Sequence, residues 1–314
     1  MTKEIKDYVI EAARIYMAEK GISQNELQGR SGVSYLSSMM NGVYTYKNSR
    51  SGEIGNIADK WFQKLADHIG YKIRKDYWST VLTTQFKTIV AELKGAKEDA
   101  RIRMIIGETG CGKSYAIDRF RKGNPRGTYV VTCSGQTCQS SLIQRILYAL
   151  RMDCRGNCDY LLGRISAEIR NQQLAGDKPI LILDEAENLR LPTFKAVKSI
   201  YDYLKGQCGI VLIGTDQLLD KLEKMSGKNT EGMPQFYDRF SSGLRHLRPI
   251  DHTFTEFLSS LTLEPGLKDL IQKSCRSYRG LADYMEPALR KADEKGVPLT
   301  EDFFRIIHDL PKYE

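Results

Sequence analysis

The chain has no apolar run near the ~20 residues that a membrane-spanning helix needs, so no membrane partner is expected. It also has no signal-peptide core. Its first stretch, MTKEIKDYVIEAARIYM, is a charged amphipathic helix pattern without a cleavage site, and a cytoplasmic protein is expected. Cysteine is sparse and odd in number, seven in all, which argues against a disulfide framework. Cys133, Cys138, Cys154 and Cys158 form two loose pairs with gaps of four and three residues. Zinc ribbons favour gaps of about two, so buried free thiols are expected instead of a structural metal. What is present is ordinary for a globular protein: 41% hydrophobic and 27% charged residues, over 314 positions, enough for two or three domains. The charge is not balanced. With 47 basic against 39 acidic residues the chain carries +8, which suits a polyanionic partner, nucleic acid first.

The clearest local signal is Arg101–Ser114, RIRMIIGETGCGKS, a short apolar run ending in a glycine-rich loop. Gly107, Gly112, Lys113 and Ser114 fill the fixed places of G-x-x-x-x-G-K-S. Glycines let backbone N–H groups turn inward around phosphates, and a helix starting near Lys113 would point its positive end at them. The loop Gly107, Glu108, Thr109, Gly110, Cys111, Gly112, Lys113 and Ser114 is therefore expected to bind ATP. Lys113 would reach the β- and γ-phosphates, and the Ser114 hydroxyl would ligate Mg²⁺. Further on, Pro179–Glu185 reads as a buried strand that delivers two carboxylates at its C-terminal end, where ligands bind in α/β sheets. Asp184 is expected in the nucleotide site and the Mg²⁺ shell, mostly through water, and Glu185 to polarise the attacking water. An Asp-Glu pair favours hydrolysis over phosphoryl transfer to a second substrate.

Strand-like runs at Ile102–Ile106, Thr128–Thr132, Ile180–Leu183 and Ile210–Ile213 alternate with helical patterns, and a fifth strand is expected within Leu244–Ile250. Such alternation predicts an α/β fold: a parallel sheet with helices on both faces. Before this core the pattern is all-helical. Residues 5–19 carry Ile5, Tyr8, Val9, Ala12, Ile15 and Tyr16 at helical spacing, and Ser23 to Glu26 form a capping box that opens a second helix. Val33-Ser34 is expected to start a third helix, with Ser34 as N-cap and Asn41-Gly42 as its stop. Residues 42–56 read as a polar loop with Lys47 and Arg50. A fourth helix follows with Ile57, Trp61, Leu65, His68 and Ile69 along one face, His68 as a packing or surface residue. Tyr71–Asp76 is a charged connector, residues 78–94 a further helix, and Lys94–Asp99 a charged lead-in to the first strand.

The stretch ISQNELQGRSGVSYLSSMMNG resembles the Cro/repressor-type helix-turn-helix. That resemblance implies Ser34, Tyr35, Ser37 and Ser38 on or near a face that enters the major groove of DNA. The core resembles the AAA+ ATPases. There, a polar residue after the strand that follows the acidic one senses the γ-phosphate, and Ile210–Thr215 offers Thr215, with Asp216 as fallback. An arginine before the fifth strand reaches the neighbouring subunit's γ-phosphate in that family; Arg239 is the candidate, with Arg245 and Arg248 as rivals. Family lids carry an arginine toward the nucleotide; here that slot holds Asp283, with Arg279 or Arg276 as substitutes. Residues 1–76 are thus expected to form the helix-turn-helix domain with its connector, 77–252 the AAA+ P-loop core, and 253–314 a helical lid.

Taken together, this architecture resembles the phage Mu B transposition protein family, and more distantly the Tn7-type and IS21-type transposition ATPases. The resemblance implies an ATPase that oligomerises as a filament or ring on double-stranded DNA, largely without sequence preference, and recruits a transposase. Lys122, Arg126, Lys195 and Lys198 are candidate core contacts to DNA, with the choice among them open. An ATP-switched sequence-specific transcription regulator and a replicative helicase-loader-type ATPase are the alternatives.

Overall fold

The computed structural model describes residues 1, 3–47, 52–71, 77–78, 80–259 and 261–311. The chain divides into two units, Met1–Tyr77 and Trp78–Glu314. The boundary expected at residue 76, its connector over residues 72–76, and Arg50 lie outside the described residues.

In the first unit α1 (Lys3–Lys20) turns Val9, Ile10 and Ala13 inward. Tyr8 and Ile15, which helical spacing assigns to the same stripe, are exposed, so the buried face is rotated from the expected one. The cluster it joins is built from Leu27, Leu36, Met39, Phe62 and Leu65. Helix α2 (Gln24–Ser31) opens on the expected capping box: the Glu26 N–H donates to Ser23 Oγ (3.3 Å) and the Ser23 N–H to Glu26 Oε2 (3.0 Å). The bond from the Ser23 backbone holds the Glu26 carboxyl below its ordinary value.

The third helix departs from expectation. It is the short α3 (Leu36–Met40), and Ser34 does not cap it. Tyr35 precedes it in the left-handed region (φ 66°), with no side-chain cap bond. Its ring stacks on Tyr46 (5.1 Å) and meets Trp61 edge-on (6.5 Å), so aromatic packing stands where a hydroxyl cap was expected. Residues 42–56 are not simply loop either: β1 (Thr45–Lys47) pairs antiparallel with β2 (Ile54–Asn56), Tyr46 opposite Gly55. Helix α4 (Asp59–Ile69) then buries Phe62, Leu65 and Ala66, with Trp61 only half-buried and His68 exposed.

The second unit opens with α5 (Thr84–Asp99), which begins six residues later than spacing predicts. The reason is its cap: Thr83 Oγ1 accepts the Phe86 N–H (3.1 Å). The charged Lys94–Asp99 is the end of this helix, not a lead-in. There follow β3 (Ile102–Ile106), α6 (Lys113–Gly123), β4 (Thr128–Thr132), α7 (Gln139–Ala149), α8 (Cys158–Leu174), β5 (Ile180–Asp184), a 3₁₀ turn at Ala186–Asn188, α9 (Leu191–Leu204) and β6 (Gly209–Gly214). After α10 (Asp216–Gly227), α11 (Met233–Ser241) and β7 (Leu244–His246), the chain ends in α12 (Thr255–Leu258), α13 (Pro265–Ser274), α14 (Tyr278–Lys295) and α15 (Glu301–Ile307).

The five strands β4-β5-β6-β3-β7 lie in that order, and every pair is parallel. Because side chains alternate along a strand, each central strand feeds two cores. Met104, Ile106, Leu181, Leu183, Ile210 and Leu212 enter the layer under α7 to α11. Ile105, Ile180, Ile182, Val211 and Ile213 enter the opposite layer, with Ile89, Ile117, Leu267, Leu281 and Phe304 from α5, α6 and the C-terminal helices. Both faces being covered is why β5 and β6 read as unbroken apolar runs. The parallel order also brings the C-terminal ends of β3, β5 and β6 to one edge, where the candidate site forms. Among the described residues no helix is long and apolar enough to cross a membrane.

Candidate nucleotide site

The loop after β3 is fastened from behind. The Gly107 N–H donates to the Gly214 carbonyl at the end of β6 (3.0 Å), and Glu108 Oε2 accepts the Ile250 N–H (3.2 Å). Gly107 and Glu108 therefore sit behind the cavity, while Thr109, Gly110, Cys111, Gly112, Lys113 and Ser114 line it. Gly112 stands at the N-terminus of α6 with φ +92°, a backbone that L side chains rarely adopt, and α6 has no side-chain cap. Its first N–H groups are thus left for a ligand at the loop. Lys113 Nζ folds over the same loop and donates to the carbonyls of Gly107 (2.7 Å) and Glu108 (2.8 Å).

Across the cavity Asp184 ends β5, buried, and its Oδ2 accepts the Ser114 hydroxyl (2.7 Å). Its Oδ1 accepts the N–H of Glu185, which has left-handed backbone (φ 55°) and an exposed side chain. Asn188 Nδ2 donates both to Glu185 Oε2 (3.3 Å) and to the Cys133 carbonyl (3.2 Å), tying the exposed carboxylate to the end of β4. Thr215 begins α10 without capping it. Thr215 Oγ1 is buried with no hydrogen-bond partner among the described residues, and the same is true of Glu187 Oε2. A Cβ at Gly214 would stand 2.6 Å from that Glu187 oxygen, so a side chain there would push the carboxylate from its place. Orphaned buried oxygens are uncommon and call for a ligand or water. With the Ser114–Asp184 pair and the uncapped α6 they make a donor and acceptor set that fits a magnesium-bound triphosphate.

The rest of the cavity, ≈ 640 Å³ in volume, is aromatic. Trp78 stacks on Phe257 (5.6 Å, 10° between planes), and Phe257 meets Tyr278 at 5.0 Å. Thr80 hydrogen-bonds the hydroxyl of Tyr115. Arg279 also lines the wall, and its N–H donates to the Gly110 carbonyl (3.3 Å), whereas Asp283 is exposed. Spacing singled out none of Trp78, Phe257, Tyr278 and Glu187. The one sequence signal for them was the second acid in Asp-Glu-Ala-Glu.

Arg239 is not brought to this cavity. On α11 its Nη1 pairs with Asp202 (2.5 Å), and its guanidinium lies 5.0 Å over Tyr201. Its rival Arg245 is held by Glu92 (2.8 Å), and the Arg248 carbonyl accepts from Gln85 Nε2 (3.1 Å). In the first unit Ser34, Tyr35 and Ser37 are exposed and Ser38 half-buried. Of the core basic residues, Lys122 pairs with Asp118 (3.2 Å) and Lys195 with Glu231 (2.7 Å). The expectation of buried thiols at 133, 138, 154 and 158 holds only for Cys133, which is buried and whose thiol is pushed up to about 12 by desolvation; Cys138 is exposed, and Cys154 and Cys158 are half-buried.

The model of an AAA domain family matches residues 96–222, from the end of α5 to the middle of α10. The second unit has the AAA+ P-loop fold. The chain is similar to the Aeropyrum pernix ORC2 protein solved in ADPNP–ADP complexes, with TM-score 0.52 and 17% identity over 76% of this chain and 70% of that one. It is also similar to the Aeropyrum pernix ORC1 protein solved in complex with DNA, with TM-score 0.51 and 14% identity over 72% of this chain and 64% of that one. At these identities the likeness is one of fold. No curated protein matches the chain in sequence.

Proposed function

We propose that the chain is an ATP-hydrolysing protein that assembles on double-stranded DNA and, as its resemblance to the phage Mu B family implies, recruits a transposase. The observation that carries the hydrolytic reading is the pair of orphaned buried oxygens, Thr215 Oγ1 and Glu187 Oε2, in the same cavity as Ser114, Asp184 and Glu185. Ser114 and Asp184 would hold Mg²⁺, which neutralises phosphate charge when bound. Lys113 and the first N–H groups of α6 bind the β- and γ-phosphates. Glu185 orients the water and takes its proton, held in place by Asn188. Thr215 Oγ1 reads the γ-phosphate. Arg239 is held by Asp202 away from its own cavity; the AAA+ resemblance assigns it to the site of a neighbouring copy, which would make hydrolysis depend on assembly.

DNA as partner is supported by the +8 charge, by the exposed Ser34, Tyr35 and Ser37, and by the DNA complex of the A. pernix ORC1 protein. Electron microscopy and ATPase rates, each with and without random-sequence duplex DNA, test the whole reading. Filaments or rings with DNA-stimulated hydrolysis, abolished by chelating the metal, are expected. A monomer or dimer at one discrete footprint would instead point to a sequence-specific regulator and overturn the proposal.

The stacked Trp78 and Phe257 are assigned to the nucleotide base. Trp78→Ala is expected to raise the KM for ATP about tenfold, from the ~1–3 kcal/mol typical of stacking a base on an aromatic ring, and to leave kcat nearly unchanged. Steady-state kinetics decide this; an unchanged KM removes Trp78 from the base site.

A further inference from the structure

Strand β4 is the edge of the sheet, and a second, open cavity of ≈ 1480 Å³ runs along it between the end of α6 and α7. Its wall carries Arg126, Arg145, Arg151 and the tyrosine Tyr148, which is 83% exposed. Elsewhere on this unit basic side chains are commonly answered by acids, as in Lys122–Asp118, Lys195–Glu231 and Arg239–Asp202. Here they are not. Among the described residues none of Arg126, Arg145 and Arg151 has a carboxylate within ion-pairing distance, although Asp177 lies on the same wall. Arg145 is oriented by donating Nη1 to the Thr132 carbonyl (2.7 Å), which leaves its other donors for a ligand.

Arg151 adds an independent observation. It stands just past the end of α7 at φ 58°, where its N–H bonds the Tyr148 carbonyl (3.0 Å) and the Met152 N–H bonds that of Leu147 (2.9 Å). Such a helix terminus favours glycine, because a Cβ strains the left-handed backbone. An arginine there costs stability that a glycine would not, and strain of this kind gathers where a side chain has work to do.

We propose that this groove binds the phosphate backbone of double-stranded DNA through Arg126, Arg145 and Arg151, with Tyr148 against the sugar edge. The inference rests on the reading of the chain as a DNA-binding ATPase, and it chooses Arg126 among the basic residues that sequence left open. Planar guanidinium groups without acidic partners match phosphate oxygens in charge and geometry. An acidic peptide adding to the edge of β4 fits less well, since Arg145 already occupies the Thr132 carbonyl and interrupts the ladder such a strand would need.

The test is the salt dependence of binding to a random-sequence duplex, by fluorescence anisotropy, for wild type, Arg151→Gly and the double variant Arg126→Gln/Arg151→Gly. Removing one arginine–phosphate pairing is expected to flatten the slope of log K against log salt by about 0.9, so the double variant should flatten it by about 1.8. ATP affinity should not change, because neither residue lines the nucleotide cavity. Arg151→Gly should melt at or above the wild-type temperature, which separates weakened DNA binding from unfolding. Equal slopes for wild type and variants would overturn the groove and leave the DNA-binding reading standing. A wild-type protein that binds no duplex would overturn that reading, and the groove with it. Variants that bind a poly-glutamate peptide more weakly but DNA as tightly as wild type would make the occupant an acidic peptide and overturn the proposal.

Discussion

Lys113→Ala is expected to lose nucleotide binding and assembly on DNA together. The ammonium is not free to wander: the carbonyls of Gly107 and Glu108, at 2.7 and 2.8 Å, hold it across the mouth of the loop. A cation fixed there loses little rotamer freedom when phosphates arrive, so most of its charge-assisted hydrogen bonding appears as affinity. Bonds to charged groups are worth about 1.5–3 kcal/mol, which corresponds to a loss of roughly ten- to a hundredfold or more in affinity. The fold should survive, because residue 113 opens α6 and alanine is the best helix former. Titration with a fluorescent ATP analogue measures the loss, and an unchanged melting temperature shows that the fold is intact. Wild-type affinity in this variant would take the loop out of the nucleotide site.

The second large effect is expected of Glu185→Gln. Glutamine matches the shape of the side chain and keeps an oxygen for the Asn188 amide that now holds Glu185 Oε2 at 3.3 Å. What it cannot do is accept a proton from water. General-base catalysis is worth about 10²–10⁴ in rate, so kcat should fall by that factor while the KM for ATP hardly moves. The protein should then stay locked on DNA in the presence of ATP, seen as persistent assemblies by electron microscopy. Glu187 is the built-in comparison, a second carboxylate on the same wall with one oxygen buried and unpartnered. If Glu185→Gln hydrolyses ATP at the wild-type rate and Glu187→Gln does not, the water-activating role belongs to Glu187.

Much of the AAA+ unit is legible in the sequence alone. The runs at 102–106, 128–132, 180–183 and 210–213 are strands within a residue or so, because a strand buried on both faces must be continuously apolar. The glycine-rich loop and the Asp184-Glu185 pair were legible for a similar reason. Their spacing is dictated by local backbone geometry at a strand-to-helix turn, and the structure brings Thr109–Ser114, Asp184, Glu185 and Thr215 to one cavity. The first unit is less legible. Its first helix carries apolar residues on most of its circumference, Ile5, Tyr8, Val9, Ile10, Ala12, Ala13, Ile15 and Tyr16 among them, so spacing does not distinguish the Val9–Ala13 face from one through Tyr8 and Ile15. Its turn into α3 is held by stacking of Tyr35 on Tyr46, a pairing with no local signature. Likewise Thr83, by capping α5, outweighed the helical pattern that runs back to residue 78.

By itself, then, the sequence determined the strands of the second unit, the parallel α/β class and the glycine-rich end of the candidate site. Each of these follows from hydrogen bonding and steric limits that act within a few residues. Only the tertiary structure decided what those elements share. Trp78, Phe257, Tyr278 and Arg279 meet the loop at 109–114 because the C-terminal helices pack on the same face of the sheet as α5 and α6. Arg126, Arg145 and Arg151 line one groove because β4 is the sheet's edge. Convergence of that kind depends on which surfaces bury against each other, and hydrophobic burial has no direction along the chain from which it could be read.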